Sequence, residues 1–276
     1  WNGSAWFQIQ TFSPNLDGGA RGFVSGGLQN PAEINNIDMI FPNHNKNYIE
    51  LSDGDMITYF ISEPMFMRGV EIFQVSVVPF YERPNSNEYV FYDEINLNVD
   101  ILELDESESL YLSKEFDLIV GSLIENYESR LREDSPPSCI LFICGGNSLD
   151  QSSTQSLIEW RRQMGYEVHA VETSDIGTTT TSIKNFIQNA YDNWDNPPEY
   201  VVLIGDTSGS YAIPYFSTTW GASDYDYTLL EGDDLFPEMI IGRISANGSS
   251  DLDNIINKTL VYEKATYLAF TGLDWY

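Results

Sequence analysis

The stretch SDYDYTLLEGDDLFPEMIIGRIS, residues 223–245, sets six carboxylates between Asp224 and Glu238 and then runs into an apolar strand. Hard carboxylate oxygens suit Ca2+, and Asp224, Asp226, Asp233 and Asp234 are the candidate ligands. The spacing is not that of an EF-hand loop, because Gly232 precedes the acid pair instead of following three ligands. Paired carboxylates also serve glycoside hydrolysis, which requires one of them to hold its proton near neutrality. In a chain with 42 acids, a solvated loop with an Asp-Asp turn is the ordinary alternative. We expect these acids to support a site and not to catalyse. Asp206, after a strand, and Asp224, ahead of Tyr-Asp-Tyr, would brace a site completed elsewhere.

A second set of reactive types is Cys144 and His169, each in or at the end of an apolar run. Strand ends are where sites gather in parallel sheets. However, His169 sits mid-strand in Glu-Val-His-Ala-Val, and Cys144 precedes Gly-Gly as a small apolar filler, so an inert buried thiol is expected. His44, in the polar turn PNHNKN, reads as solvated. Cys139 and Cys144, five residues apart in one strand, would lie roughly 17 Å from each other. That separation forbids a mutual disulfide. Two histidines and no Cys-x-x-Cys argue against a structural zinc module. Gly145 with Gly146, and Gly205 with Asp206, follow strands as phosphate loops do, but neither carries the full glycine fingerprint.

The elements that must hold these residues fall into two regions and a joint. Residues 1–103 read as an all-β domain, with Val-, Ile-, Phe- and Tyr-rich runs separated by turn clusters such as NLDGG and RPNSN. Residues 67–82, alternating through Phe73, Val75 and Val77, and residues 88–101 form a hairpin with one buried face, as in a β-sandwich. In the joint, residues 104–138, Phe116, Ile119, Val120, Leu123, Ile124, Tyr127 and Leu131 recur at helical spacing, and Pro136 with Pro137 closes it. From 139 to 276 the pattern is strand–helix alternation. CILFI, EVHAV, YVVLI and MIIGRI are the strands, and two helices lie between the first three. A last helix starts at Ser250 with a capping box to Asp253. Strands too apolar for one wet face imply a parallel sheet covered on both sides, α/β in class.

The series LIEWRRQMGYEV, IKNFIQNAYDNWDNPPEYVVLIGDT, SDYDYTLLEGDDLFPEMIIGRIS and INKTLVYE resembles the first half of the gingipain-type cysteine peptidases. The run RGVEIFQVSVVPFYERPNSNEYVFYDEINLNV, residues 68–99, is similar to the β-sandwich propeptide that precedes that catalytic domain. The resemblance implies a caspase-like α/β subdomain after a propeptide-like sandwich. It also implies a His-Gly and Cys pair, in which histidine activates a thiolate that attacks the scissile carbonyl. No His-Gly occurs in these residues, so the pair is expected beyond residue 276, in a second subdomain of the same precursor.

A net charge of −29 disfavours nucleic acid and anionic lipid as partners. It suits a soluble protein in saline surroundings, where salt screens self-repulsion, and the resemblance to the peptidases implies that the protein is secreted or held at the cell surface. Nothing reads as a membrane span. The chain begins at Trp1 in mid-pattern, without a basic leader or a long apolar run, so a preceding segment is expected. The leading expectation is the N-terminal part of a secreted cysteine endopeptidase acting on proteins. Arg130 and Arg132, in ESRLRED, would be sites of trypsin-like or self-processing, with surface charge as the alternative. An extracellular adhesive protein retaining a dead peptidase fold, and a surface-processing transpeptidase of the same family, are the competing functions.

Overall fold

The computed structural model describes residues 5–11, 46–50, 56–78, 80–83, 89–91, 112–124, 127, 129, 136–219 and 221–264. Contacts divide the chain into two compact units, Trp1–Arg130 and Leu131–Tyr276.

In the first unit, β1 (Ala5–Thr11), β2 (Lys46–Glu50), β3 (Met56–Ile61), β4 (Met65–Met67) and β5 (Val70–Val78) form one sheet in the order β1-β5-β3-β2, with β4 also on β5. β1 joins β5 in parallel, and the other pairs are antiparallel. A two-residue turn links β4 to β5, in which Arg68 and Gly69 have φ of 47° and 69°. This is the primed geometry whose twist matches that of the flanking strands. Arg68 is buried, and its guanidinium lies 4.9 Å from the centroid of the Phe116 ring. The strand's phase differs from the expectation. Val70 and Ile72 enter the core while Phe73 is half-buried, and Val75 is buried again further along. The expected hairpin after β5 appears as a short pair, β6 (Phe80–Glu82) against β7 (Tyr89–Phe91). Its continuation to residue 101 lies outside the described residues.

The joint's helix is α1 (Lys114–Leu123), capped by Ser113, whose Oγ accepts from the Phe116 N–H at 3.2 Å. It ends earlier than its apolar spacing suggests. Asp117, buried on the helix, accepts hydrogen bonds from the hydroxyls of Tyr127 and, at 2.8 Å, Ser129. Those bonds fold the chain back, and a helix continued through 129 would carry both hydroxyls away from Asp117.

The second unit is a four-stranded, all-parallel sheet of β8 (Cys139–Cys144), β9 (Glu167–Glu172), β10 (Tyr200–Ile204) and β13 (Ile240–Ile244) in the order β13-β10-β8-β9. All six residues of β8 are buried, as a central parallel strand requires. α2 (Ser152–Gln163) ends where Gly165 takes a φ of 97°, the left-handed position that favours glycine after a helix. Next come a short α3 (Thr173–Ile176) and α4 (Thr180–Asn193), closed by a reciprocal Thr179–Ser182 capping box. The hairpin β11 (Phe216–Thr218) and β12 (Gly221–Ser223) precedes β13, and α5 (Ser249–Glu263) follows it. The expected box at Ser250 and Asp253 does not form. Gly248 occupies the cap position, and no side chain caps that helix.

α2 and α5 cover one face, where Phe142, Cys144, Leu157, Ile158, Ile204, Leu252 and Ile256 share a core. The alternate residues Leu141, Ile143 and Leu203 face the other layer, where Ile183 and Ile187 of α4 are also wholly buried. Glu263 clasps α5 to α2, accepting two bonds from Arg161 at 2.5 and 2.8 Å and one from the Trp160 indole at 2.7 Å. Among the described residues, no helix is long and apolar enough to cross a membrane.

Candidate functional site

Strand order places the natural crevice of this sheet between β8 and β10. The chain passes from β8 to β9 on one side and then returns across β8 to β10, and ligands bind at the carboxyl ends of strands where order reverses in this way. Both strands end in glycine there, which is what made Gly145, Gly146 and Gly205 candidates for a phosphate loop. The structure fills that place with the chain itself. A Cβ on Gly145 would stand 2.2 Å from the carbonyl oxygen of Tyr211, and one on Gly205 1.8 Å from the same atom. A Cβ on Gly146 would stand 2.3 Å from the Ser210 carbonyl. The glycines therefore admit residues 210–211 as backbone, and Ile213 N–H donates to the Asp206 carbonyl at 2.8 Å to close the loop.

Arg243 holds this plug from beneath. It lies on β13 opposite Leu203, and each of its five N–H donors has a partner. Nε and one Nη meet Asp224 Oδ2 and Oδ1 at 2.8 and 2.7 Å. The remaining donors reach the carbonyls of Gly205 at 3.1 Å, Ile213 at 3.0 Å and Pro214 at 3.2 Å. A planar fork is the one side chain able to read a carboxylate and three carbonyls together. Asp206, the other expected brace, accepts from Ser245 Oγ at 2.8 Å, and its own N–H donates to the Ala246 carbonyl at 3.1 Å. Hydrogen bonds from the Thr207 backbone and Ser245 hold its carboxyl below the usual range. Both acids thus brace their own unit.

The remaining acids of the 224–238 stretch divide by partner. Glu231 accepts from the Tyr191 hydroxyl of α4 at 2.9 Å, and Asp234 Oδ1 accepts from the Phe236 N–H at 2.7 Å as an Asx turn. Glu238 is wholly buried and accepts from the Leu230 N–H at 2.6 Å, while its own N–H donates to Thr228 O at 3.0 Å. Burial pushes its carboxyl up to about 7. Asp233 is exposed. No three of the carboxylates of Asp224, Asp226, Asp233 and Asp234 lie within 4.8 Å of one another, and both oxygens of Asp224 are engaged by Arg243. Arg130 and Arg132 lie outside the described residues, as does His44.

Cys144 is wholly buried, and desolvation raises its thiol to about 12. In register it opposes Glu172, whereas His169 opposes Leu141. Since successive residues of a strand alternate faces, Cys144 and His169 point to opposite sides of the sheet and cannot exchange a proton. No disulfide links Cys139 to Cys144. Sequence reasoning missed Arg243, and it counted Glu238 among the six acids without foreseeing its complete burial. The signal for the first was a lone arginine inside an apolar strand, which must find acceptors to be tolerated there.

Residues 133–275 match the family described as peptidase family C25. Over 215 residues the chain is 30% identical to Lys-gingipain of Porphyromonas gingivalis, which takes in 72% of this chain and 12% of that protein. Over 222 residues it is 26% identical to gingipain R2 of the same bacterium, 76% of this chain and 29% of that one. A crystal structure of the Arg-specific cysteine proteinase gingipain R superimposes in part, at 26% identity, 48% of this chain, 29% of that chain and a TM-score of 0.41. The chain thus spans between 12% and 29% of the length of these curated relatives.

Two outcomes follow from this geometry. Arg243→Ala strands Asp224 and three carbonyls, and should lower the urea-unfolding free energy by about 1–3 kcal/mol, the cost of leaving partly buried acceptors without their donor. Glu238 keeps its proton in the folded chain up to about pH 7, whereas in the unfolded chain the group releases it near its ordinary value of 4.5. Unfolding in that window therefore releases a proton, and stability should fall as pH rises through it. Glu238→Gln should flatten that slope in thermal melts taken across the window, and an unaltered slope would contradict the assignment.

Proposed function

Because this chain belongs to peptidase family C25, we propose that its second unit is the supporting half of a caspase-like cysteine endopeptidase domain. In this reading the reactive histidine and cysteine come from sequence beyond residue 276. The observation that carries it is the closed crevice: the strand ends where a site would open are sealed by residues 210–211, and the thiol beside them is inert. A unit so arranged has a fixed surface to offer, and its Cys144 is held protonated. The neighbouring half would supply the thiolate, which attacks the scissile carbonyl to give a thioester and release the amine. Water then cleaves the thioester. Donors around the oxyanion would come from that half as well.

We assign the first unit, by the same lineage, to a propeptide-like β-sandwich, and the whole to a secreted or surface protein acting on proteins. Cleavage after Arg132 would leave Glu133 as the new terminus, and the family match begins at that residue. The tests use a longer precursor that carries the downstream histidine and cysteine. It should hydrolyse peptides, lose that activity when the downstream cysteine becomes alanine, and keep it within about twofold in Cys144→Ala, since a thiol near 12 is protonated at working pH. N-terminal sequencing of the mature form should return Glu133. Activity confined to residues 1–276 and lost in Cys144→Ala would overturn the reading. Transfer to amine nucleophiles in place of hydrolysis would favour the transpeptidase instead.

Calcium carries over in a reduced form. Asp224 is committed to Arg243, so an ion would have to draw together Asp226, Asp233 and Asp234 with backbone oxygens. Calorimetric titration of chelator-treated protein with Ca2+ should then give one site that Asp233→Asn removes, and a featureless titration rejects it.

A further inference from the structure

At the amino end of β8 and β9, opposite to the crevice, three side chains of different chemistry converge. Cys139 begins β8 and pairs directly with Glu167, the first residue of β9. His169 follows two residues later and so projects from the same face. The donor atoms Cys139 Sγ, Glu167 carboxylate oxygen and His169 Nε2 or Nδ1 all lie within 4.8 Å of one another. Among the described residues this is the one such group of three metal-ligating side chains.

We propose that Cys139, Glu167 and His169 form a binding site for a borderline divalent cation of the Zn2+ type, with a water in the fourth position. A tetrahedral zinc with one sulfur, one nitrogen and one oxygen ligand sets its donors about 3.3–3.6 Å apart. The present spread needs only side-chain adjustment to reach that. His169 Nε2 and Glu167 Oε1 are 2.8 Å apart, sharing a proton that a cation would replace. The mixed donor set selects against Ca2+ and Mg2+, which take oxygen alone.

The surroundings have the form of an outer shell. The side-chain amide of Asn196 donates to Glu167 Oε2 at 2.7 Å and to the Pro137 carbonyl at 2.9 Å, fixing one carboxylate oxygen and leaving the other turned to His169. The imidazole packs at 4.5 Å on the Trp194 ring, next to that asparagine loop. Cys139 is wholly buried, while the side chains of Glu167 and His169 are 40% and 43% exposed, which gives a cation an entry from solvent. Binding would break the Cys139 S–H bond, form a metal–sulfur bond and release the proton to water. The bound ion would staple β8, β9 and the segment after α4 at the end of the sheet opposite the carboxyl ends of the strands, so its role is structural or regulatory and not peptide cleavage.

Co2+ is the probe that separates this site from the chain's many carboxylates, because only a thiolate ligand produces a sulfur-to-cobalt charge-transfer band. Titration of the full 276-residue chain should yield that band at one equivalent, with Zn2+ bleaching it and excess Ca2+ leaving it intact. Cys139→Ser should abolish it, His169→Gln and Glu167→Gln should weaken cobalt affinity at least tenfold, and Cys144→Ser should leave it unchanged. His169 and Glu167 are partly exposed, so their variants keep the test decisive if Cys139→Ser fails to fold. Zn2+ should also raise the thermal midpoint of the parent and not of His169→Gln. Absence of the band, an unchanged cobalt affinity in His169→Gln, or loss of the band in Cys144→Ser would overturn the proposal.

Discussion

The second unit depends on one cation. Arg243 rises from an edge strand into a region made almost wholly of carbonyls, and its five donors turn separate pieces of chain into one body. Without it, the carbonyls of Gly205, Ile213 and Pro214 would crowd together with a carboxylate and no positive charge between them. In a chain of net charge −29, a largely buried arginine must repay its desolvation locally, and bidentate pairing with Asp224 does so. That pairing also answers what the acidic stretch is for. Its first acid neutralises the arginine, and Glu231, Asp234 and Glu238 tie the following loop to α4 and to itself.

The plug and the arginine act together. Fixing the Gly205 and Ile213 carbonyls holds both ends of the segment that crosses the glycines, so residues 210–211 seal the switch point with backbone in place of a ligand. Proteins of this layered class normally open that crevice to a substrate. Here the backbone of residues 210–211 occupies it. A rigid scaffold is what proximity catalysis asks of the groups that flank a reacting pair, since small misplacements there cost large factors in rate.

Much of this was legible in the residues. Six apolar positions in CILFIC, and the same character in YVVLI, require burial on both faces and hence a parallel sheet. Gly165, Pro197 and Pro198 mark their breaks for local steric reasons. What escaped was set by tertiary contact. Phe73 was expected in the core, but β5 meets strands on both edges, and the inward phase settles on Val70 and Ile72. The tail of α1 was expected to stay helical, but Asp117 gathers hydroxyls from ten and twelve residues on. At Ser250 the capping pattern lost to Gly248, whose extended backbone caps the helix two residues sooner. Gly145 and Gly205 announced a close approach, yet nothing local says whether a phosphate or the chain's own backbone arrives. Cys139, Glu167 and His169 are separated by a whole helix in sequence, and only strand pairing brings them side by side.

The order β13-β10-β8-β9 carries a further consequence for synthesis. The strand that leaves the ribosome first in this unit is flanked on both sides by strands made later. At typical elongation rates, the wholly apolar β8 waits on the order of seconds for its first neighbour and longer for its second. During that interval both of its hydrogen-bonding rims are open, as on any unpaired strand. Nascent chains of this protein are therefore most exposed to mispairing with one another while the polysome is still extending them, before the fold has a second strand to offer.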